Sequence, residues 1–385
     1  MWADASTTAP ATVMRVVSRR ACGRWALVAC GIALLCALPA LVGGWPAADS
    51  ALTAAQLRAR IIGSADVPYQ GYAESTAALG LPSLPDVGDV ASLLDGTTDQ
   101  YVWYRSASQW RADMLSAAGE TDTYEAGALG TFRWSYSANL LTQIVGSQPV
   151  RVPRAADLLP PALAQRVVSY AGPGTRVSRL PARRIAGVDV AGLRLSPDGA
   201  AARQSVISSI DIWADPRTGL AVQVEIFGRG AAGPVLVSKF LDVSLSAPAA
   251  GVLRPKFGAE VDHTTSSLPN VSRLLYGLGP ALPARLGGMA RVSGVPGLPE
   301  LAAYGSGLAR FVVIPLPGRT GRELLNAAIT AGGIIQLGNA TAVAIQTPLL
   351  TVLVVQRPAS PVYLLTGTVT TAVLERAAQQ LPGYS

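Results

Sequence analysis

Apolar and polar positions along this chain follow three rhythms. The first is an unbroken apolar run, Trp25 to Trp45, with no charged residue inside it. That length matches the roughly 20 residues a helix needs to cross a bilayer core. The second has helical spacing: Leu52–Ile62 reads as a short amphipathic helix, and a further helix is expected over Arg154–Tyr170. The third begins near Tyr69, where the period falls to two. In SQWRADML, Trp110, Ala112 and Met114 alternate with Gln109, Arg111 and Asp113. In TFRWSYS, Phe132, Trp134 and Tyr136 alternate with Thr131, Arg133 and Ser135. Leu220, Val222, Val224 and Ile226 alternate with Ala221, Gln223 and Glu225. Such alternation predicts strands with one buried and one wet face. Turn residues at Gly119, Gly127, Asp215-Pro216 and Gly228–Gly233 separate the runs at hairpin distances, which predicts antiparallel pairing.

Residues 266–300, rich in Pro, Gly and Ser, read as a linker. Beyond them FVVIPLP predicts a strand, and Thr320-Gly321-Arg322-Glu323 fits a capping box opening a helix to about Thr330. Three short apolar runs and a last helix over Thr371–Leu381 complete a small α+β domain at 301–385. The expected organisation is a cytoplasmic tail at 1–24, a transmembrane helix at 25–45, a sheet-rich domain at 50–265, the linker and the small domain.

The flanks of the apolar run orient it. Arg15, Arg19, Arg20 and Arg24 precede it, so the N-terminus is expected in the cytoplasm and the body outside, as a single-pass cell-membrane protein. A cleaved signal peptide is the alternative, but the run is long for one, and only Pro46-Ala47-Ala48 offers a cut. All three cysteines, Cys22, Cys30 and Cys36, lie in or beside this segment, which leaves the body without a disulfide framework. Half of the residues are apolar and 14% are charged, which argues against disorder. The net charge of +7 is scattered rather than clustered, so no nucleic-acid partner is expected.

Catalytic signatures are thin. Gly228-x-Gly230-x-x-Gly233 spells a dinucleotide fingerprint, but Pro234 and an alternating strand follow where a helix is required, so the glycines read as a hairpin loop and no cofactor is expected. His263 is the only histidine, beside Asp262 in a polar stretch read as a solvated loop. No catalytic residue and no metal ligand set is nominated, and no enzyme is expected. The distinctive feature is instead an aromatic sheet face beneath LGLPSLPDVGDVASLLDG, a loop too apolar to stand in water. A curved sheet under such a lid would enclose an apolar cavity. Trp110, Met114, Phe132, Trp134, Tyr136, Val222 and Val224 are its expected lining, with Leu79, Leu81, Leu84, Leu93 and Leu94 as the lid.

The succession of anchor, short helix, GYAEST, Leu/Pro loop, YVWYRSASQWRADML, TFRWSYS and IDIWADPRTGLAVQVEI resembles the actinobacterial branch of the LolA/RseB-like lipoprotein-carrier superfamily. The likeness spans about residues 50–265 and is most specific from Ile212 to Leu220. The unit after the linker looks like the smaller domain of RseB-like members. The resemblance implies an α+β fold: a strongly curved antiparallel half-barrel with helices plugging its concave side. It also implies a concavity that holds a lipid or lipoprotein acyl chain, or senses one for a membrane-bound anti-sigma factor. An anchored chain cannot shuttle, so a tethered binder or sensor is expected. The alternative is a ligand-free protein–protein regulator or an envelope assembly factor.

Overall fold

The computed structural model describes residues 25, 27–33, 47–80, 93–117, 119–146, 153–255, 260–267, 281–292, 301–357 and 360–382. The chain forms two units, Met1–Pro46 and Ala47–Ser385. In the first, residues 25 and 27–33 are helical, and the rest of the expected span lies outside the described residues. No helix among the described residues is long and apolar enough to cross a membrane.

The second unit is α+β, built on two open, curved sheets. The larger has twelve strands: β1 (Tyr69–Ala78), β2 (Asp95–Ser106), β3 (Gln109–Ser116), β4 (Gly119–Ala126), β5 (Thr131–Ser135), β6 (Leu140–Val145), β7 (Thr175–Ile185), β8 (Val188–Pro197), β9 (Ile207–Ala214), β10 (Ala221–Gly228), β11 (Pro234–Ser244) and β12 (Asp262–Ser267). Their order is β12-β6-β5-β4-β3-β2-β1-β11-β10-β9-β8-β7. Neighbours pair antiparallel except β12, which adds parallel to β6. His263 therefore sits on an edge strand, exposed, and not in a loop. The glycines at 228–233 do form the hairpin between β10 and β11.

Two helices cover one face of this sheet. The first, α1 (Ala54–Ile62), opens on a capping box in which the Gln56 amide donates to Thr53 Oγ1 and the Thr53 amide donates to Gln56 Oε1. The second, α2 (Pro160–Tyr170), has prolines in its first turn, where a missing amide proton costs nothing. Leu57, Ile61, Leu163, Val167 and Val168 turn onto Leu193, Ile212, Val224 and Leu236. Burying each such side chain stabilises the fold by about 1.5–3 kcal/mol relative to exposure. The turn ahead of α2 is held by side chains from the sheet. Ser75 and Ser238 both donate to the Leu158 carbonyl, and Gln100 donates to that of Ala155.

The smaller sheet has eight strands: β13 (Arg285–Leu286), β14 (Met289–Val292), β15 (Ala302–Ser306), β16 (Ala309–Leu316), β17 (Gly333–Leu337), β18 (Ala340–Gln346), β19 (Thr351–Gln356) and β20 (Val362–Gly367), in the order 13-14-15-16-20-19-18-17. Residues 285–292, read from sequence as linker, thus supply two of its strands. Helix α4 (Gly318–Ala331) follows α3 (Gly199–Gln204) in the chain and covers Val343, Val354 and Val362, while α5 (Thr371–Gln379) covers Ala342, Leu353 and Leu365 on the other face. Burial on both faces explains why TVLVV and VYLL lack alternation. The box proposed at Thr320 does not form, because α4 starts at Gly318 behind Pro317.

Main-chain bonds stitch the two sheets together. Ser205 bridges Val369, the Val206 amide donates to the Thr368 carbonyl, and the Thr370 amide donates to that of Gln204.

Candidate functional site

The strands β3–β6 form a wing of the larger sheet. The helices pack on β7, β8, β10 and β11, and among the described residues none packs substantially on the wing. What the wing carries on each face depends on register. Gln100 lies opposite Met114, and Tyr104 opposite Trp110. Since Gln100 reaches the turn ahead of α2, Trp110, Ala112 and Met114 extend the helix-covered face. Arg111 lies opposite Tyr124, and Tyr124 opposite Phe132; Asp113 lies opposite Asp122, and Asp122 opposite Trp134. Phe132 and Trp134 therefore share a face with Arg111 and Asp113.

This corrects the single aromatic lining read from sequence. Trp110 and Met114 stand half-buried on one face, Phe132 and Trp134 half-buried on the other. Tyr136 lies beyond β5, 64% exposed, with its ring 5.3 Å from that of Trp134. Val222 and Val224 share the face of Trp110 but are fully buried, Val222 against Leu159 and Val224 beneath α2. Of the lid residues, Leu79 is buried, and Leu93 and Leu94 pack against the core under α2; Leu81 and Leu84 lie outside the described residues.

The face read from sequence as wet holds the densest chemistry of the wing. The Arg111 guanidinium lies between the rings of Trp103 and Tyr124, 5.1 and 5.0 Å from their centroids. Its Nε donates to Asp113 Oδ1 at 2.6 Å, and a terminal nitrogen to Asp122 Oδ2 at 2.9 Å. Glu120 Oε1 is 3.9 Å away. The Tyr124 hydroxyl also donates to Asp122 Oδ2. Both aspartates are almost wholly buried. Burial raises the Asp113 pKa against the opposing pull of Arg111, and burial and then the Asp113 charge raise that of Asp122. Glu120 is raised by burial and by its contact with Asp122. Burial next to Asp122 drives the Tyr124 phenol upward. Carboxylate oxygens of Asp113, Glu120 and Asp122 come within 4.8 Å of one another, and one terminal nitrogen of Arg111 lies within 3.9 Å of all three. Sequence reasoning missed this cluster because alternation alone made Arg111 and Asp113 look solvated. The signal available was two aspartates and an arginine amid aromatics on either side of the predicted turn at Gly119.

A cleft of about 870 Å³ lies elsewhere, between Ala48–Leu52, Arg60, the β7–β8 turn at Gly187–Asp189 and the β9–β10 turn at Asp215–Arg217. Its charges are already engaged: Arg60 donates to the Pro216 carbonyl, and Asp189 pairs with Arg184.

No protein-family model and no curated protein matches the chain. Among solved structures, the MucA/MucB complex of Pseudomonas aeruginosa is similar at 17% identity and a TM-score of 0.46, covering 86% of this chain and 99% of that one. A further MucB structure is similar at 16% identity and a TM-score of 0.45, covering 88% and 100%. A LolA superfamily protein of Nitrosomonas europaea is similar at 12% identity and 0.24, covering 53% and 99%.

Proposed function

We propose that this chain is an extracytoplasmic binding protein, held at the cell membrane by residues 25–45, whose wing docks an apolar ligand along Trp110 and Met114. The observation that carries the proposal is the position of those two side chains. They continue the face that α1 and α2 cover elsewhere, on a strand against which no described helix packs substantially. An acyl chain of a lipid or lipoprotein suits such a strip, since each buried methylene contributes about 0.8 kcal/mol. Binding is favoured over catalysis because the sole histidine is exposed on an edge strand and the buried Asp113 and Asp122 are committed to Arg111.

A second reading is a protein–protein regulator acting with a membrane-bound anti-sigma-type partner. Its support is the packing of Val222 and Val224, both fully buried, Val224 among the side chains beneath α2. The two readings part in one experiment. Residues 47–385, purified and extracted with solvent, should release lipid seen by mass spectrometry. Trp110→Glu should fold and lose that lipid, and Trp134→Glu, on the opposite face, should keep it when folded. A folded wild-type body without lipid would favour the regulator.

A further inference from the structure

We propose that Asp113, Glu120 and Asp122 form a proton-loaded latch, closing the β3–β4 hairpin while protonated and loosening it as pH rises. The geometry carries this. Asp113 and Asp122 stand directly opposite each other across the hairpin, where two like charges destabilise a strand pair. Glu120 brings a third carboxylate within the same 4.8 Å. One guanidinium, Arg111, serves all three. Asp122 is 1% exposed, and its Oδ1 is buried without a donor while Oδ2 takes both Arg111 and Tyr124. A carboxyl proton shared within the cluster supplies the missing donor and removes one of the opposed charges. It belongs to the cluster and not to one residue.

The other groups on this face come from the described residues of the flanking strands. From β2 come Tyr101, opposite Asp113, and Trp103, with Asp99 further along opposite Leu115. From β3 comes Arg111, and from β4 Glu120 and Tyr124. Trp134 faces Asp122 from β5, and β6 presents uncharged Leu141 and Gln143. Burial shifts all three acids upward. A group raised in the folded state stabilises the fold while protonated and ceases to do so as pH climbs through its raised value. The loosening stays local because no described helix backs the wing, whereas helices back β7, β8, β10 and β11. The latch stands on the cluster itself and is independent of what the wing binds.

Hydrogen exchange of the full-length chain tests it, at about pH 4 and about pH 8, either side of where raised carboxyls titrate, with exchange times scaled for the intrinsic rates. Protection of β3 and β4 should fall by about tenfold at the higher pH, while β9 and β10 stay constant. Asp122→Asn carries its own donor and no charge, so it should abolish the difference. Glu120→Gln, at the more open end, should reduce it, and it decides the matter if Asp122→Asn does not fold. Equal wild-type protection at both pH values overturns the latch, as does a pH difference that survives both variants. So does calcium at millimolar level restoring full protection at about pH 8, which would make the cluster a cation site.

Discussion

Asp113 on β3 and Asp122 on β4 lie opposite each other in register, both almost fully buried, and the same Arg111 bonds to each. Two buried acids are tolerated at one cross-strand position because a guanidinium, itself held between the Trp103 and Tyr124 rings, and the Tyr124 hydroxyl bond to them. The wing is thereby dependent on Arg111.

Arg111→Leu should destabilise the body by about 2–4 kcal/mol. Removing one partner of a buried ion pair costs roughly 3–5 kcal/mol, and Arg111 is partly open to solvent, so the loss is smaller. Urea unfolding measures it. Adding Asp113→Leu and Asp122→Leu should recover much of the loss, since the orphaned charges are then gone.

Gly219→Ala should be costly although it adds one methyl. Gly219 has φ +79°, a region that alanine adopts only with strain, and the new Cβ would overlap the Arg60 carbonyl at the end of α1. A loss of about 1–3 kcal/mol is expected from backbone strain and displaced packing, seen as a lowered Tm.

Ser205→Ala tests the seam between the sheets. Ser205 is fully buried, donates to the Leu308 carbonyl at 2.9 Å and accepts from the Ile207 amide at 3.0 Å. Leaving both unpaired should cost about 1–3 kcal/mol. Wild-type residues 47–385 should melt in one calorimetric transition, and the variant should begin to separate into two.

His263→Ala should change stability by no more than about 0.5 kcal/mol, as expected for an exposed position making no special contact. It should also leave any cellular phenotype intact.

The anchor proposed at residues 25–45 should keep the full-length protein in membranes through alkaline carbonate washing, with its original N-terminus. Mature protein beginning near Asp49 would mean a cleaved leader instead.

The sequence by itself determined those strands and helices whose apolar spacing is regular, because that spacing depends on neighbours in the chain. The α1 and α2 segments, the glycine hairpin at 228–233 and the alternation in β3, β5 and β10 were all legible that way. Alternation in one strand reveals two faces but not which face a neighbouring strand will share. That parity is set by turn length and register, and a one-residue difference exchanges the faces. It is why Trp110 and Trp134 read as partners and stand apart, and why Arg111 and Asp113 read as solvated and are enclosed. Only the tertiary structure decided that Val224 is sealed by α2 while Trp110 is not, and that residues 285–292 return as strands. Burial is a property of what packs over a residue, and those neighbours come from distant parts of the chain.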